Sequence, residues 1–553
     1  MTLVFYSTTG WDNPFMVGWG TTSFYNSYLP FFNVFKWAFL ILVTLLLVCV
    51  MGNEIVRFRS RIPNLPGPRG YPILGSLPTL RGKTNSEEYR KWTTKYGDVF
   101  QVQLGNSTAV VVNSVSAARS FFISQREATN SRPEFYVLHK KVQQGKSITS
   151  IGTSAWDSSC KRRRKIAASA LNKTSVASYL PILDLESRAF LRDILRTCGD
   201  GAEAIDMLDT CHKLALNLSL TLSYGTRVED VKDLREDLLL SEIIYIEHQI
   251  TKFRDVSGNY LNYIPLLRPL SVVAGWLGSQ DGRHMADVGK RRYAYHAALQ
   301  ENLRKEIDLG IDKPCIQGNV LKDPESKGLT EGELLSVSMS MMAGSDTTKR
   351  SLLWGLQLLA HRQDIQQKAY QSIVDAGGDI LESPNVAQTN IAYIDALTKE
   401  LGRFFVVLRL ALPKATHSWV SWQDARIPPK TLLFLNNWAC TRDTSVFPDA
   451  EVFDPERWLD GDVTANRHQF AFGMGGRMCV ASHVASKALY TVFLHLVAHF
   501  EILPADKSRY PSAWDPLTGL LDKENPQAAP LATSVRFAPR NPDKTRRMLS
   551  SSQ

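Results

Sequence analysis

The 553-residue chain has few of the patterns that mark disulfide-rich or zinc-binding proteins. Its seven cysteines are odd in number and form no C-x-x-C pair, so neither a disulfide framework nor a zinc ribbon is indicated. The thiols are therefore expected to face a reducing compartment. Hydrophobic residues make up 44% and charged residues 21% of the chain, which excludes a wholly disordered or collagen-like protein.

Positive charge is missing from residues 1–33, and Lys36 is the only charged residue between positions 34 and 52. These 19 residues, taken as a helix, reach about 28 Å, enough to cross the hydrocarbon core of a membrane. Arg57, Arg59 and Arg61 follow, so the positive-inside rule places the N-terminus in the lumen and the rest in the cytosol. A cleaved signal peptide fits less well, because a signal peptide carries its positive charge before the apolar run. A buried core helix is the other alternative.

Internal repeats, low-complexity tracts and Gly/Ser linkers are also missing between residues 71 and 540, which predicts one large domain there. Prolines crowd the segment just before it, and fixed φ angles and lost N–H donors favour a stiff extended spacer. The predicted segments are a lumenal tail (1–33), a transmembrane helix (34–52), a basic and proline-rich hinge (53–70), the domain (71–540) and a polar C-terminal tail (541–553).

The spacing of apolar residues predicts a mainly α domain with a smaller β part. Residues 99–104 and 109–112 predict two short strands around a turn at Gly105 and Asn106. Apolar residues at three- and four-residue spacing predict helices further along the chain. These helices cover residues 186–195, 206–222, 232–250, 283–309, 330–361 and 484–500.

A glycine-rich loop with one cysteine, residues 472–481 (FGMGGRMCVA), precedes the last of these helices. Glycines permit a close backbone approach, and backbone N–H groups near a helix N-terminus stabilise a thiolate. The loop could hold the Cys479 sulfur against a flat cofactor. The alternative is a glycine loop with an incidental cysteine.

Three further motifs carry polar residues in unusual settings. Glu400 and Arg403 lie one helical turn apart and can pair, although such a pair alone is typical of a solvated surface. Arg457, in the turn DPERW at 454–458, could reach the same acid. Residues 343–348 (AGSDTT) interrupt an apolar helix with residues of modest helix propensity. That segment is either a distorted turn lining a cavity or a surface-exposed polar turn.

In this order, the four motifs resemble those of microsomal cytochromes P450, the heme-thiolate monooxygenases, and the resemblance runs from the apolar segment to the C-terminal region. It implies a single P450 fold and heme b (iron protoporphyrin IX), with Cys479 as the thiolate ligand of the iron. Phe472, Gly475 and Arg477 would contact the cofactor. The resemblance assigns a buried ion-pair triad, which holds the cysteine loop in place, to Glu400, Arg403 and Arg457.

The same resemblance implies that Thr347 and Asp346 handle oxygen and its protons, and that Gly344 leaves room for oxygen and substrate. By analogy, the substrate walls come from residues 135–142, 406–408 and 517–521.

Two residues depart from the family pattern. Ala481 stands where a glycine is usual. The change adds only one methyl group, which the loop can tolerate. The family also has a tryptophan four residues before an arginine, both near a heme propionate. Here Cys160 takes the tryptophan position, which makes Arg164 the propionate candidate and leaves Trp156 to pack as ordinary core.

Electrons are expected from NADPH through a cytochrome reductase, with cytochrome b5 as an optional second donor. The net charge of +10 alone does not choose among lipid, nucleic acid and acidic protein. The basic run KRRRK at 161–165 resembles a nuclear import signal in isolation, but a membrane anchor argues against that destination. A reductase docking face in the cytosol, at the endoplasmic reticulum membrane, is the favoured interpretation, and no nucleic-acid partner is expected.

The resemblance therefore implies insertion of one oxygen atom from O2 into a hydrophobic small molecule. Residues 152–165 resemble fungal biosynthetic and phenylacetate-hydroxylase-like members, which suggests fungal secondary metabolism. The alternatives are oxidative rearrangement, dehydrogenation or coupling, aromatic acid hydroxylation, and a catalytically silent heme- or lipid-binding membrane protein.

Overall fold

The computed structural model describes residues 22–144, 150–228, 234, 236–255, 258–276, 279–377, 386–459, 468–506 and 512–550. These residues belong to two compact units, Met1–Arg59 and Ser60–Gln553. The first contains one helix, α1 (Thr22–Arg59). From Val34 onward this helix is long and apolar enough to cross a membrane, with a mean hydropathy of 2.6 over its most apolar 18 residues. It continues through residues 53–59 of the predicted hinge and ends before Pro63, the first proline after the apolar run.

The β part of the second unit consists of three small sheets. The largest has the order β1-β2-β7-β4, in which β2 and β7 run parallel and the other neighbours run antiparallel. The predicted strand pair is confirmed, with Val99 opposite Val112. The other sheets have the orders β3-β9-β8 and β5-β6. The strands are β1 (Val99–Leu104), β2 (Ser107–Val112), β3 (Ala204–Asp206), β4 (Lys414–Ala415), β5 (Val420–Trp422), β6 (Ala425–Ile427), β7 (Leu432–Leu435), β8 (Phe500–Pro504) and β9 (Ser534–Pro539).

Helices make up most of the second unit, so the predicted fold class is confirmed. All six predicted helical regions contain helix, although the start of the one predicted at 232 lies outside the described residues. The helices are α2 (Leu77–Leu80), α3 (Asn85–Tyr96), α4 (Val115–Arg119), α5 (Arg126–Thr129), α6 (Ser158–Ala170), α7 (Lys173–Thr197), α8 (Leu208–Tyr224), α9 (Leu238–Arg254), α10 (Leu267–Trp276), α11 (Asp281–Asp308), α12 (Ile316–Lys322), α13 (Glu331–Met342), α14 (Gly344–His361), α15 (Gln363–Asp375), α16 (Ala392–Phe405), α17 (Asn437–Cys440), α18 (Ser482–His499) and α19 (Pro542–Ser550).

The proline-rich segment packs as part of the second unit. Ile62 and Leu65 are buried, and the Gln101 side chain on β1 both accepts from the Ile62 N–H (2.8 Å) and donates to its carbonyl (2.8 Å). One amide side chain thus meets both backbone polar groups of Ile62.

Aromatic side chains from α14 and α16 fill the centre of the largest core. Trp354 and Phe405 stack with their ring centres 4.6 Å apart, and Phe404 packs edge-on against Phe453. All four are buried. Because α14 and α16 carry two of the sequence motifs, this packing fixes those motifs relative to each other.

The C-terminal segment, predicted as a polar tail, forms α19 as far as Ser550, and residues 551–553 lie outside the described part. Thr545 is buried, donates to the Asn541 carbonyl (2.9 Å) and lies 3.2 Å from His499 Nδ1. A tertiary contact with α18 therefore orders a segment whose composition alone is polar.

Candidate active site

The cysteine loop is held in shape by its own backbone and by one close approach. The Cys479 N–H donates to the carbonyl of Phe472 (3.0 Å), a half-buried residue, and closes the loop ahead of α18. Gly475 has φ +76°, and a Cβ there would lie 2.1 Å from the Phe122 carbonyl oxygen. Only glycine fits this position without a shift of the backbone. The loop therefore presents Cys479 at a fixed place.

The Cys479 side chain is exposed, although protein surrounds it closely enough that burial raises the pKa of its thiol. Both observations hold if the sulfur faces an opening inside the domain. A backbone hydrogen bond from Ala481 and the charge of Arg164 act on the pKa in the opposite direction. A bound metal cation would lower it further, because metals bind the thiolate form.

Two cationic side chains hold the loop from outside. The Arg164 guanidinium donates to the carbonyls of Gly476 (3.2 Å) and Met478 (3.3 Å), and Lys414 Nζ donates to the Met474 carbonyl (2.6 Å). Arg164 was predicted at the cofactor from the family pattern. Lys414, on β4, was not predicted, because no motif in the sequence marks it.

Two further arginines lie on the same side. Arg477 donates to the carbonyls of Ser154 (2.9 Å) and Ile151 (3.0 Å), and Arg132 donates to the carbonyl of Gly152 (2.9 Å). Both are buried. Arg477 was predicted from the loop motif, whereas no motif marked Arg132.

These four residues, Arg132, Arg164, Lys414 and Arg477, form what we call the cation cluster. None of them pairs with a carboxylate among the described residues. Burial lowers the pKa of Arg477 to about 10, and the charge of Arg164 lowers it too. The pKa values of Arg132 and Lys414 lie well below their ordinary values, through burial and the neighbouring cations.

Buried like charges are costly unless an anion compensates them. Heme b carries two propionate carboxylates and an iron that binds thiolate. The cation cluster next to the exposed sulfur of Cys479 therefore fits this group in both charge and donor chemistry.

The helix predicted over 330–361 is broken at Ala343, between α13 and α14. The hydroxyls of Thr347 and Thr348 both donate to the Gly344 carbonyl, at 2.9 and 3.0 Å. The helix is thus interrupted at Ala343, and residues 343–348 are half-buried or buried, which argues against the surface-exposed interpretation. Since a hydroxyl has one hydrogen and two lone pairs, Thr347 can still accept a hydrogen bond from water.

Asp346 is bound by two cations of its own helix. Its carboxylate lies 2.7 Å from Lys349 Nζ and 3.2 Å from Arg350 Nη2. Burial alone would raise the pKa of Asp346, but Arg350 and Lys349 outweigh it and lower the pKa to about 2. Asp346 is therefore ionised at neutral pH. Its predicted part in proton delivery requires one of the two cations to release it.

The predicted acid and both arginines of the triad are brought together. Glu400 lies 2.7 Å from Arg403 and 3.2 Å from Arg457, and at least 95% of each side chain is buried. Glu400 also accepts from the Trp458 indole (2.8 Å) and from the Asp454 N–H (3.0 Å). The triad thus ties α16 to the segment that precedes the cysteine loop.

Two of the predicted substrate walls are linked to α14 by hydrogen bonds. The Ala528 N–H donates to the Val407 carbonyl (2.8 Å), while the Ala528 carbonyl accepts from the Trp354 indole (3.1 Å). A further bond joins the Leu521 N–H to the Ala529 carbonyl (3.0 Å). The third predicted wall, residues 135–142, ends in a π-helical turn, Tyr136–Val142.

Trp156 does not pack as ordinary core. Its half-buried ring lies 5.5 Å from the Arg477 guanidinium carbon and 5.6 Å from Lys161 Nζ. The prediction was wrong because it followed the register of α6, whereas Trp156 lies in the loop before that helix.

A mainly helical domain with a small sheet part, in which a glycine-rich loop presents an exposed cysteine beside buried cations, has the architecture of a heme-thiolate enzyme. The chain belongs to the cytochrome P450 family, whose family model, described as Cytochrome P450, matches residues 65–528. The predicted family and enzyme class are confirmed: the protein is a reductase-dependent oxidoreductase of the monooxygenase type. Family membership implies heme with a cysteine thiolate ligand.

Three relatives are similar over most of their length. The 3-hydroxyphenylacetate 6-hydroxylase of Emericella nidulans is 41% identical over 90% of this chain and 92% of that protein. The phenylacetate 2-hydroxylase of the same organism is 36% identical, over 89% and 93%. The cytochrome P450 monooxygenase CYP3 of Mycosarcoma maydis is 37% identical, over 90% and 91%.

Proposed function

We propose that the protein inserts one oxygen atom from O2 into a small aromatic acid of the arylacetate type. The observation that carries this proposal is its similarity, over about nine tenths of the chain, to two proteins named for the hydroxylation of phenylacetate and 3-hydroxyphenylacetate. A place in fungal secondary metabolism, the first expectation from the sequence, is the second candidate, and it is favoured by relatives that act there.

In the proposed mechanism, Cys479 would bind the heme iron and the cation cluster would bind the propionates. The bound heme supplies the oxidising chemistry, using O2 and two electrons from NADPH through a reductase. Cytochrome b5 is proposed as a second electron donor. The chain contributes the proton path, because Thr347 Oγ1, fixed by the Gly344 carbonyl, can accept a hydrogen bond from water and pass a proton on.

The substrate proposal is tested by titrating the purified full-length protein with phenylacetate, 3-hydroxyphenylacetate and the neutral phenylacetamide. We expect the acids to shift the heme spin state. With NADPH and reductase, they should yield products heavier by one oxygen atom in a mass spectrum. If neither acid shifts the spin state or raises NADPH consumption, the arylacetate proposal is wrong.

Thr347→Ala is expected to uncouple this reaction. NADPH consumption should persist, while product per NADPH falls by about tenfold or more and hydrogen peroxide rises, because a proton-transferring hydroxyl is lost. Thr348→Ala is the matched control, since its hydroxyl binds the same carbonyl, and it should leave the ratio unchanged. A wild-type ratio in Thr347→Ala would contradict the proposed proton path.

We also propose that α1 anchors the protein in the endoplasmic reticulum membrane, with the catalytic domain in the cytosol. Support comes from the apolar segment of α1, from the lack of Lys and Arg in residues 1–33 and from the arginines that follow. Of the three N-x-S/T sequons, at Asn106, Asn172 and Asn217, only Asn172 is exposed, at the start of α7. Asn172 is therefore the informative reporter of topology.

Microsomal protein is expected to keep its mass when treated with an N-glycan-removing enzyme, and to be digested by protease added outside sealed vesicles. Ser7→Asn is the positive control, because it creates a sequon with Thr8 and Thr9 in the proposed lumenal tail. A glycan at Asn172, or protection of the domain from protease, would overturn this orientation.

A further inference from the structure

Trp156 lies at the edge of the cation cluster. Trp156 immediately precedes Asp157, the N-cap of α6. Its backbone N–H donates to Ser131 Oγ (3.3 Å), and Ser131 is the residue before Arg132. Its ring contacts the guanidinium of Arg477. Arg477 thus contacts the Trp156 ring directly, and the backbone of Trp156 is bound to the residue that precedes Arg132.

The indole Nε1 of Trp156 is buried and has no hydrogen-bond partner among the described residues. An indole N–H is a donor only, and a buried one normally finds an acceptor. Leaving it unpaired would cost the free energy of desolvating a polar group. The N–H is therefore placed to meet an acceptor supplied by a bound group.

An anionic acceptor fits beside this N–H, because the Arg477 guanidinium lies against the ring and the described hydrogen-bond partners of Arg477, Arg132 and Lys414 are carbonyl groups and a thiol rather than carboxylates. Cys160 stands in α6 at the position where the family pattern has its tryptophan, and it offers no such donor. It is fully buried, and its sulfur accepts a hydrogen bond from Arg477 (3.6 Å). A thiol is only a weak donor.

We propose that the Trp156 Nε1–H donates to a heme propionate, so that the loop before α6 supplies the donor that position 160 lacks. This inference rests on the proposed heme site at Cys479. The Trp156 ring also lies 5.5 Å from the Arg477 guanidinium carbon, so the indole and a cation of the cluster are neighbours.

The test compares two variants of the full-length heme-loaded protein. Trp156→Phe keeps the ring and loses the donor, and we expect heme transfer to apomyoglobin to become about tenfold faster or more. The propionate bending band in the resonance Raman spectrum should also shift. Trp156→Tyr, which keeps a donor at the ring edge, should restore part of both effects.

Trp419→Phe is the matched control, since Trp419 is exposed and its ring contacts Arg426; it should leave heme release unchanged. If Trp156→Phe releases heme at the wild-type rate, or if the Phe and Tyr variants behave alike in rate and Raman band, the N–H does not bind the propionate. Failure to load heme in Trp156→Phe but not in Trp156→Tyr would support the donor. A wild-type protein without a thiolate-type spectrum would instead refute the heme site itself.

Discussion

Cys479→Ala is expected to lose entirely the red-shifted absorption that a thiolate ligand gives to the reduced carbon monoxide adduct. Of the seven cysteines, only Cys49 and Cys479 are exposed, and Cys49 lies in α1, in the other compact unit. Cys160 also lies beside the cation cluster, but its sulfur is fully buried and accepts a hydrogen bond from Arg477, so Cys479 is the one exposed thiol of the second unit. Monooxygenase activity should fall below detection, because the thiolate is needed for O–O bond cleavage.

Cys440→Ala is the control for this experiment, because Cys440 is buried and burial raises its pKa well above the ordinary value. Both variants are reduced, exposed to carbon monoxide and compared with the wild type by absorption spectroscopy. The Cys440 variant should keep the red-shifted band. If Cys479→Ala also keeps it, another residue binds the iron and the proposed ligand is wrong.

The local elements could be predicted because the signals for them lie within short stretches of sequence. The strands around Gly105 and the helix after Cys479 follow from the period of apolar residues, which does not depend on the rest of the fold. The Glu400 and Arg403 pair follows from the spacing of one helical turn. The ion pairs of Asp346 with Lys349 and Arg350 have the same spacing and could have been predicted as well.

The cation cluster could not be assembled from the sequence. Arg132 and Lys414 are far apart in the chain, and the fold brings them together beside the cysteine loop. Neither residue stands in a pattern that differs from an ordinary surface cation. Only their burial without a carboxylate, which depends on tertiary packing, indicates that they bind an anion.

Composition also misled at the two ends of the domain. The proline-rich segment looks like a free spacer, but Gln101 binds Ile62 and fixes it against β1. The last segment is polar, yet the buried Thr545 packs beside His499. In both places one buried polar contact from a distant part of the chain decides the structure, and local propensity carries no information about such a contact.

The triad around Glu400 carries a larger share of stability than any surface ion pair. Its carboxylate accepts from Arg403, Arg457, the Trp458 indole and the Asp454 N–H, all in a site from which water is excluded. Arg403 in turn donates to the carbonyls of Thr441 (2.9 Å) and Ala450 (2.7 Å). The carboxylate thus pairs with both guanidinium groups.

Glu400→Ala is therefore expected to lower the free energy of unfolding by about 3–5 kcal/mol, because it leaves two buried cations without their carboxylate. Little heme-loaded protein should be recovered, and thermal unfolding of what remains should occur well below the wild-type temperature. Glu400→Gln keeps an acceptor oxygen but loses the charge. Its unfolding temperature and heme loading should therefore lie between those of the wild type and Glu400→Ala.

Asp395→Ala is the matched control on the same helix, since Asp395 pairs with Lys399 at 2.7 Å with both side chains about 40% exposed. Because exposed pairs contribute little, its loss should stay within about 1 kcal/mol, and heme loading should be normal. The measurement is thermal unfolding together with the ratio of heme to protein absorbance for the three variants. If Glu400→Ala unfolds at the temperature of Asp395→Ala with full heme loading, the triad does not stabilise the domain.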